Sequence, residues 1–227
     1  MELRPDFHFD MEAAAQAKAA FQLRMRARGI RDLDVLRALE IVPREKFVAH
    51  RYVDLAGRDL ALPIGCGQTL TEPWLVARMI EALEITRFQR ILEIGTGSGY
   101  ATAILAQLAV EVVSIERFQS LAIEARARLD ALRIDNAAVV WGDGLAVSYS
   151  SGSFDRVIVH GHLDKVPERL DDVLAADGVL VMARGDPQSA RRQIAVRLSR
   201  GATGEFNETT ICPCRLQAIL PGIAQAL

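Results

Sequence analysis

The chain has 227 residues, 50% hydrophobic and 25% charged, with a formal net charge of -2. That balance supports a packed core, excludes a disordered chain, and gives no general attraction for polyanions such as nucleic acid. Charge interrupts every long apolar window, as Glu111 and Glu116 do in AILAQLAVEVVSIER, so no membrane-spanning segment is expected. The first residues, MELRPDFHFDMEAAAQ, lack the apolar stretch and small-residue cleavage site of a secretory signal. Cys66, Cys212 and Cys214 form no disulfide framework, and the ICPCRL pair has neither zinc-knuckle spacing nor a second pair. A cytoplasmic protein with no resident metal is the expectation; oligomeric state is not legible. The basic runs EARARL and SARRQIAVRLSR read as solvated faces.

In chain order, Asp10 to about Arg28 reads as a helix with Phe21 and Met25 on one stripe, stopping at Gly29. DLDVLRALEIV reads as a second helix, capped by Asp32 and ending ahead of Pro43. HRYVDLAGRDLALPIGCGQTL reads as an ordered loop in which Leu60, Leu62 and Ile64 alternate, and EPWLVARMIEALEI restores helical periodicity. Strands follow at 90–94, 111–115, 137–141, 154–159 and 179–183, with helices near 100–109, 118–132 and 166–176. This alternation predicts an α/β doubly wound, Rossmann-like, mostly parallel sheet. After it, two period-two segments around GATGEF predict a C-terminal antiparallel hairpin at the sheet edge. We divide the chain into a helical region with its loop, 1–88, and a main domain, 89–227.

The segment RILEIGTGSGY places Gly95, Gly97 and Gly99 between a strand and a helix. Glycines there let backbone approach a ligand, and amides opening the helix carry partial positive charge. Glu116 ends the next strand about twenty residues later, where a carboxylate can accept both hydroxyls of a ribose. Glu93, two positions before the first glycine, is a poor neighbour for a pyrophosphate and suits a cationic amino group and a sulfonium. Asp143 and Gly144 in WGDGLA offer a carboxylate for an adenine amino group and room for the base to lie flat. These features favour S-adenosylmethionine, with NAD as the alternative. Taken singly, Glu116 can instead pair with Arg117, and Asp143 can cap a turn.

RARGIRDLDVLRALEIVPREKFV, LPIGCGQTLTEPWLVARMIEAL and ILEIGTGSGYATAILAQL together resemble the protein-L-isoaspartate O-methyltransferases, the second being the hallmark segment. The resemblance implies methyl transfer from S-adenosylmethionine to the free α-carboxylate of an isoaspartyl residue in a damaged protein. Such a carboxylate, with a solution pKa of about 3.5, is already ionised at neutral pH and requires no general base. Rate then comes from alignment and water exclusion, so the lack of a His–Asp or Cys–His constellation is no objection. The resemblance assigns the cofactor to Gln68, Thr69, Leu70, Thr71, Glu93, Gly95, Thr96, Gly97, Ser98, Gly99, Glu116, Arg117, Asp143 and Gly144. Thr71, where the family has serine, is the catalytic candidate, although it also suits a helix cap before EPWLVA. Pro63, Ile64, Gly65, His160 and His162 are the substrate candidates. Asp59 matches an acidic position of the family, and Gly57 replaces an aromatic one. The larger departure is VIVHGHLDKVP, where His160, His162 and Asp164 replace small neutral groups, together with Arg184 in place of a small residue. Two alternatives therefore stand beside isoaspartyl repair: the same fold acting on another acceptor, and a cofactor-binding protein without turnover.

Overall fold

The computed structural model describes residues 5–150, 152–201 and 204–224; the remaining positions, including Ala202 and Thr203 of the expected hairpin turn, lie outside the described residues. Helix α1 (Pro5–Ala27) starts at Pro5 rather than Asp10. Gly29 ends it with a φ of 95°. Ile30 N donates to Met25 O at 3.1 Å and Gly29 N to Arg26 O at 3.0 Å, the double bond of a Schellman motif, with Met25 and Ile30 both buried. Asp32 caps α2 (Leu33–Ile41) as expected, Oδ1 accepting from Asp34 N at 2.8 Å and Val35 N at 3.0 Å.

The stretch read as an ordered loop is ordered. A 3₁₀ turn at Arg44–Phe47 precedes it, and it holds a 3₁₀ segment at His50–Leu55, then a short antiparallel ladder pairing Leu62–Pro63 with Thr69–Leu70. Leu62 points into the core, while Leu60 and Ile64 are partly buried against it. Helix α3 (Pro73–Glu81) follows. Glu81 at its end accepts from Arg31 N at 2.6 Å and Asp32 N at 2.9 Å, which locks the start of α2 to the end of α3.

Seven strands build the main sheet: β1 (Arg90–Ile94), β2 (Glu111–Glu116), β3 (Ala137–Trp141), β4 (Phe154–His162), β5 (Leu174–Asp186), β6 (Ser189–Arg200) and β7 (Phe206–Cys214), in the order β3-β2-β1-β4-β5-β6-β7. Pairing is parallel from β3 through β5 and antiparallel from β5 to β7, so the tail hairpin lies at the edge. The crossovers carry α4 (Tyr100–Leu108), α5 (Gln119–Ala131) and α6 (Glu168–Val173).

Alternation along the strands divides the core into two layers, because successive side chains point to opposite faces. Ile91, Val112, Ile158 and Val181 face a cluster that continues through α4 and α3 to Val35 and Met25. Leu92, Val113, Val157 and Leu180 face the layer of Phe154, Leu170 and Leu174. Helix α4 lies between the sheet and α2, with every residue except Gln107 buried; this is why its sequence is apolar all round rather than striped. The N-terminal helices thus buttress the outer side of α4.

Two boundaries differ from the sequence pattern. Helix α6 ends at Val173 rather than near 176, because Leu174 already pairs with Phe154 before a bulge shifts the register to Arg156↔Val179. Gly178 is required in that bulge: a Cβ there would stand 2.4 Å from Leu174 Cγ. The arginines of the two basic runs are largely engaged rather than displayed. Arg126 donates to Val139 O, Arg128 pairs with Glu124, Arg197 with Glu84 and Arg200 with Asp171.

Candidate active site

Strand order reverses direction between β1 and β4, and a cleft of about 470 Å³ opens at the carboxyl ends of the strands there. Its walls are the glycine turn, the end of β2, the hallmark segment and the chain that follows β7. Gly95, Gly97 and Gly99 all adopt positive φ, at 92°, 56° and 90°, which explains why this turn is written in glycine. A Cβ on Gly97 would also press Ile64 Cδ1 at 3.3 Å. Gly95, Thr96, Gly97 and Ser98 line the cleft; Gly99 lies outside the lining and starts α4, accepting from Ala103 N at 2.9 Å.

Glu116 lines the cleft and is 4% exposed. Oε2 accepts from Gly97 N at 2.8 Å and Oε1 from Phe118 N at 3.0 Å, so the carboxylate ties the glycine turn to the end of β2. Burial pushes its pKa up; the backbone N–H groups of Phe118, Gly97 and Arg117 oppose this, and the charge of Glu93 adds to it. A carboxylate has about four acceptor directions, so two remain for a vicinal diol. The residues at this end fit the ribose of an adenosyl group. Arg117 also lines the cleft, its guanidinium carbon 5.4 Å from the ring centre of Phe118.

Glu93 is placed differently from the expectation. It is fully buried on the α4 face of β1, and Thr102 Oγ1 of α4 donates to its Oε2 at 2.5 Å. His160, at the end of the neighbouring strand β4, covers it: Nε2 stands 2.9 Å from Glu93 Oε1, at ion-pair distance but off the angle of a hydrogen bond. His160 lines the cleft and Glu93 lies behind it. Thr96 and Ser114, with hydroxyl oxygens 2.5 Å apart, continue this polar seam under the glycine turn.

Asp143 also stands behind the lining. Oδ1 accepts from Leu145 N at 2.8 Å, the turn cap, and Oδ2 accepts from Gly222 N at 2.7 Å. Gly144 does line the cleft, and its lack of a side chain is enforced: a Cβ would lie 2.4 Å from Ile94 Cγ2.

In the hallmark segment, Ile64, Gln68, Thr69, Leu70 and Thr71 line the cleft, whereas Pro63 and Gly65 support it from outside. Gln68 closes the turn on itself: its N donates to Gly65 O, Nε2 to Cys66 O, and its O accepts from Ile64 N. Thr71 does not cap α3. The N-cap position is Glu72 with no side-chain bond, and the cap comes from Asp59, whose Oδ1 accepts from Trp74 N at 2.9 Å while the carboxylate pairs with Arg28. Among the described residues the Thr71 hydroxyl has no hydrogen-bond partner.

Two contributors escape the sequence reading. Arg44 is 5% exposed, with its guanidinium donating to Ala56 O and Leu60 O at 3.0 Å and to Thr71 O at 3.2 Å, so it pins the loop carrying Thr71. The buried cation's pKa is lowered by desolvation. The signal available was a charged residue inside the family-like VPREKF. The second is residues 215–220, which line the cleft as a strap. His162 anchors it through the backbone, N donating to Gln217 O at 2.8 Å and O accepting from Ile219 N at 3.0 Å. The His162 ring lies outside the lining, 3.6 Å from the exposed Asp164. Gln217 Nε2 donates to Gly67 O at 3.1 Å, closing the strap onto the hallmark turn. Arg184 pairs with Glu208 on the edge hairpin, away from the cleft.

An open parallel sheet with a glycine turn and a strand-end carboxylate at its switch point defines an α/β protein built for an adenosyl ligand. Comparison with known sequences narrows this. The chain matches the family described as Protein-L-isoaspartate(D-aspartate) O-methyltransferase over residues 16–219. It is 46% identical over 210 residues, 92% of this chain and 95% of the relative, to protein-L-isoaspartate O-methyltransferase 2 of Rhodopseudomonas palustris (strain HaA2). It is 47% identical over 92% of its length to the protein-L-isoaspartate O-methyltransferase of Nitrobacter winogradskyi, of which 95% is covered. Among solved structures, a protein-L-isoaspartate O-methyltransferase superposes with a TM-score of 0.78 at 23% identity, over 91% of this chain and 67% of that one. A Plasmodium falciparum chain solved in complex with S-adenosyl-L-homocysteine gives 0.74 at 21% identity, over 88% and 97%. This chain belongs to the protein-L-isoaspartate O-methyltransferase family.

Proposed function

We propose that this protein methylates the free α-carboxylate of isoaspartyl residues in damaged proteins, with S-adenosylmethionine as donor. The single observation that carries the reading is the Thr71 hydroxyl, without a partner among the described residues and opening onto the same cleft as the glycine turn and Glu116. When bound, S-adenosylmethionine supplies an activated methyl group on a cationic sulfur. Glu116 accepts the ribose hydroxyls, Gly97 and Ser98 offer close backbone approach, and Gly144 leaves the wall flat for the base. Thr71 donates its hydroxyl to the acceptor carboxylate, and the backbone bond from Arg44 holds that hydroxyl in place. Apolar Ile64, Val76 and Ile115 exclude water from the same space. No proton has to leave the acceptor, so orientation and desolvation are the means of catalysis.

Gly95, Gly97, Gly144, Glu116 and Thr71 are assigned to ligand on their position in the cleft; Glu93 and Asp143 act from behind it by holding His160 and the strap. Cys66, Cys212 and Cys214 are free thiols, in keeping with a reducing cytoplasm, and burial pushes the Cys214 thiol up to about 12, which makes it a poor nucleophile. No helix among the described residues is long and apolar enough to cross a membrane.

The experiment is incubation with methyl-labelled S-adenosylmethionine and two peptides differing only in an isoaspartyl or normal aspartyl linkage. Base-labile label on the isoaspartyl peptide alone is expected. Label on neither peptide, with adenosylhomocysteine still binding by calorimetry, would overturn the acceptor assignment and leave the cofactor assignment standing.

A further inference from the structure

His160 is a titratable group set into the cleft wall at the point where the glycine turn begins; a Cβ built on Gly95 would meet His160 Cβ at 3.6 Å. Its surroundings fix how it is held. Glu93 is fully buried, and among the described residues the one hydrogen bond to its carboxylate comes from the Thr102 hydroxyl at 2.5 Å, a neutral donor. A buried carboxylate needs a compensating partner, and the atom facing Oε1 is His160 Nε2 at 2.9 Å. The Nε2 edge of the ring is thus turned inward to the carboxylate, at ion-pair distance. The side chain keeps 10% of its surface exposed, and the residue lines the cleft. A protonated imidazole carries an N–H on each nitrogen, so with one edge turned to Glu93 it keeps a second donor for an acceptor.

The acceptor has to be an anion, yet the cleft already contains two carboxylates in its lining, Glu72 and Glu116. Lining groups able to carry positive charge are Arg117, Arg215 and, when protonated, His160. Arg117 adjoins the carboxylate that serves the ribose, and Arg215 is exposed at the rim, whereas the His160 side chain is 10% exposed and sits against the glycine turn. We infer that His160, oriented by Glu93 and Thr102, receives the acceptor carboxylate alongside the Thr71 hydroxyl and selects acceptors that carry one. This rests on the methyl-transfer reading above. The transfer itself balances without His160 changing state: a carboxylate oxygen forms the new C–O bond, the methyl–sulfur bond breaks with its electrons on sulfur, and no proton moves. An imidazolium holds the carboxylate more strongly than the neutral ester, so the contact favours acceptor over product and assists release. Because it stabilises the ground-state anion at least as much as the transition state, its removal should appear in KM rather than in kcat.

The test compares the wild-type protein with His160→Ala and His160→Gln in three measurements. These are kcat and KM for the isoaspartyl peptide, calorimetric affinity for adenosylhomocysteine, and calorimetric affinity for the isoaspartyl peptide against its α-carboxamide twin. The expected result is a KM raised about tenfold or more in both variants, a kcat changed less than about threefold, and unchanged adenosylhomocysteine affinity. Preference for carboxylate over carboxamide peptide should fall by the same factor as KM rises. Glu93→Gln, which keeps the packing but removes the charge that orients the ring, should show the same loss of discrimination in smaller degree. Unchanged KM and unchanged discrimination in His160→Ala would overturn the inference, as would a rise in KM accompanied by an equal loss of adenosylhomocysteine affinity. If the wild-type protein labels no isoaspartyl peptide, the methyl-transfer reading fails first; if it does and the variants match it, only the role of His160 fails.

Discussion

Replacing Arg44 by Met removes the guanidinium that gathers the hallmark loop while keeping most of its packing volume. Three of its hydrogen bonds are of ordinary length, to Ala56 O and Leu60 O at 3.0 Å and to Thr71 O at 3.2 Å, and a fourth, to Arg58 O at 3.4 Å, is weak. A bond from a charged donor is worth about 1.5–3 kcal/mol, so a simple sum exceeds any reasonable net effect. Two terms reduce it. The variant no longer buries a cation, and the freed carbonyls belong to a loop that water can partly reach. The net loss is therefore about 3–5 kcal/mol, since each carbonyl left without its donor costs about 1–3 kcal/mol and the relief of the buried cation offsets part of the sum. For a chain of this size that corresponds to a fall in Tm of about 6–20 °C. Arg44→Lys keeps the charge with fewer donors and should lose about half as much. Urea unfolding with a constant m-value measures the stability. Methyl transfer at a temperature where the variant remains folded reads the second consequence: with the Thr71 backbone unanchored, kcat/KM should fall more than the folded fraction does. If Arg44→Met lies within about 1 kcal/mol of wild type and transfers methyl normally, the loop is held by something else and the reasoning is wrong.

Glu116→Ala should weaken adenosylhomocysteine binding about 10- to 150-fold by calorimetry, the value of hydrogen bonds to a charged group; unchanged affinity would remove it from the ribose site. In the ligand-free protein the same residue works against the fold at neutral pH. Burial raises its folded pKa above the ordinary 4.5, so its contribution to stability is fully present below the unfolded value and is lost as pH rises through the folded one. Urea midpoints of wild type and Glu116→Gln compared from pH 4 to pH 7 should thus move in the variant's favour as pH rises. Gly144→Ala forces a Cβ to within 2.4 Å of Ile94 and should cost about 1–3 kcal/mol in urea unfolding, with partial recovery when Ile94 is also changed to Val. Asp143→Ala releases both Leu145 N and Gly222 N, and should accelerate limited proteolysis within 215–224 under conditions where the sheet stays intact.

Local features survived the passage from sequence to structure because each needed only a few neighbouring residues. Asp32 caps α2 and Gly29 ends α1 through bonds spanning five positions or fewer, and the glycine turn needs its positive φ wherever the strand is placed. The placement of Glu93 and Asp143 was not legible in the same way. Each was read correctly as standing at a strand end, but what faces it comes from far along the chain. The β1–β4 neighbourhood puts His160 against Glu93, and the return of the strap puts Gly222 N against Asp143. Thr71 illustrates the converse. Its residue type fits a helix cap, and the cap is nevertheless supplied by Asp59, 15 positions upstream of the Trp74 N–H it accepts from, which leaves the hydroxyl for other use. Sequence spacing gave no sign of that exchange, nor of the bulge that converts the end of the expected sixth helix into β5.

The bond from Gln217 to Gly67 joins residues 150 positions apart. Closing so long a loop adds little to its equilibrium cost, because that cost grows only with the logarithm of length, but it delays the event kinetically. The crossovers near the glycine turn can be in place well before the two distant margins of the cleft meet. Refolding followed by backbone signals should therefore run ahead of recovered ligand binding, and mild denaturant should abolish binding while the strands still hold. Competence to turn over substrate is, on this account, the last property the polypeptide acquires and the first it gives up.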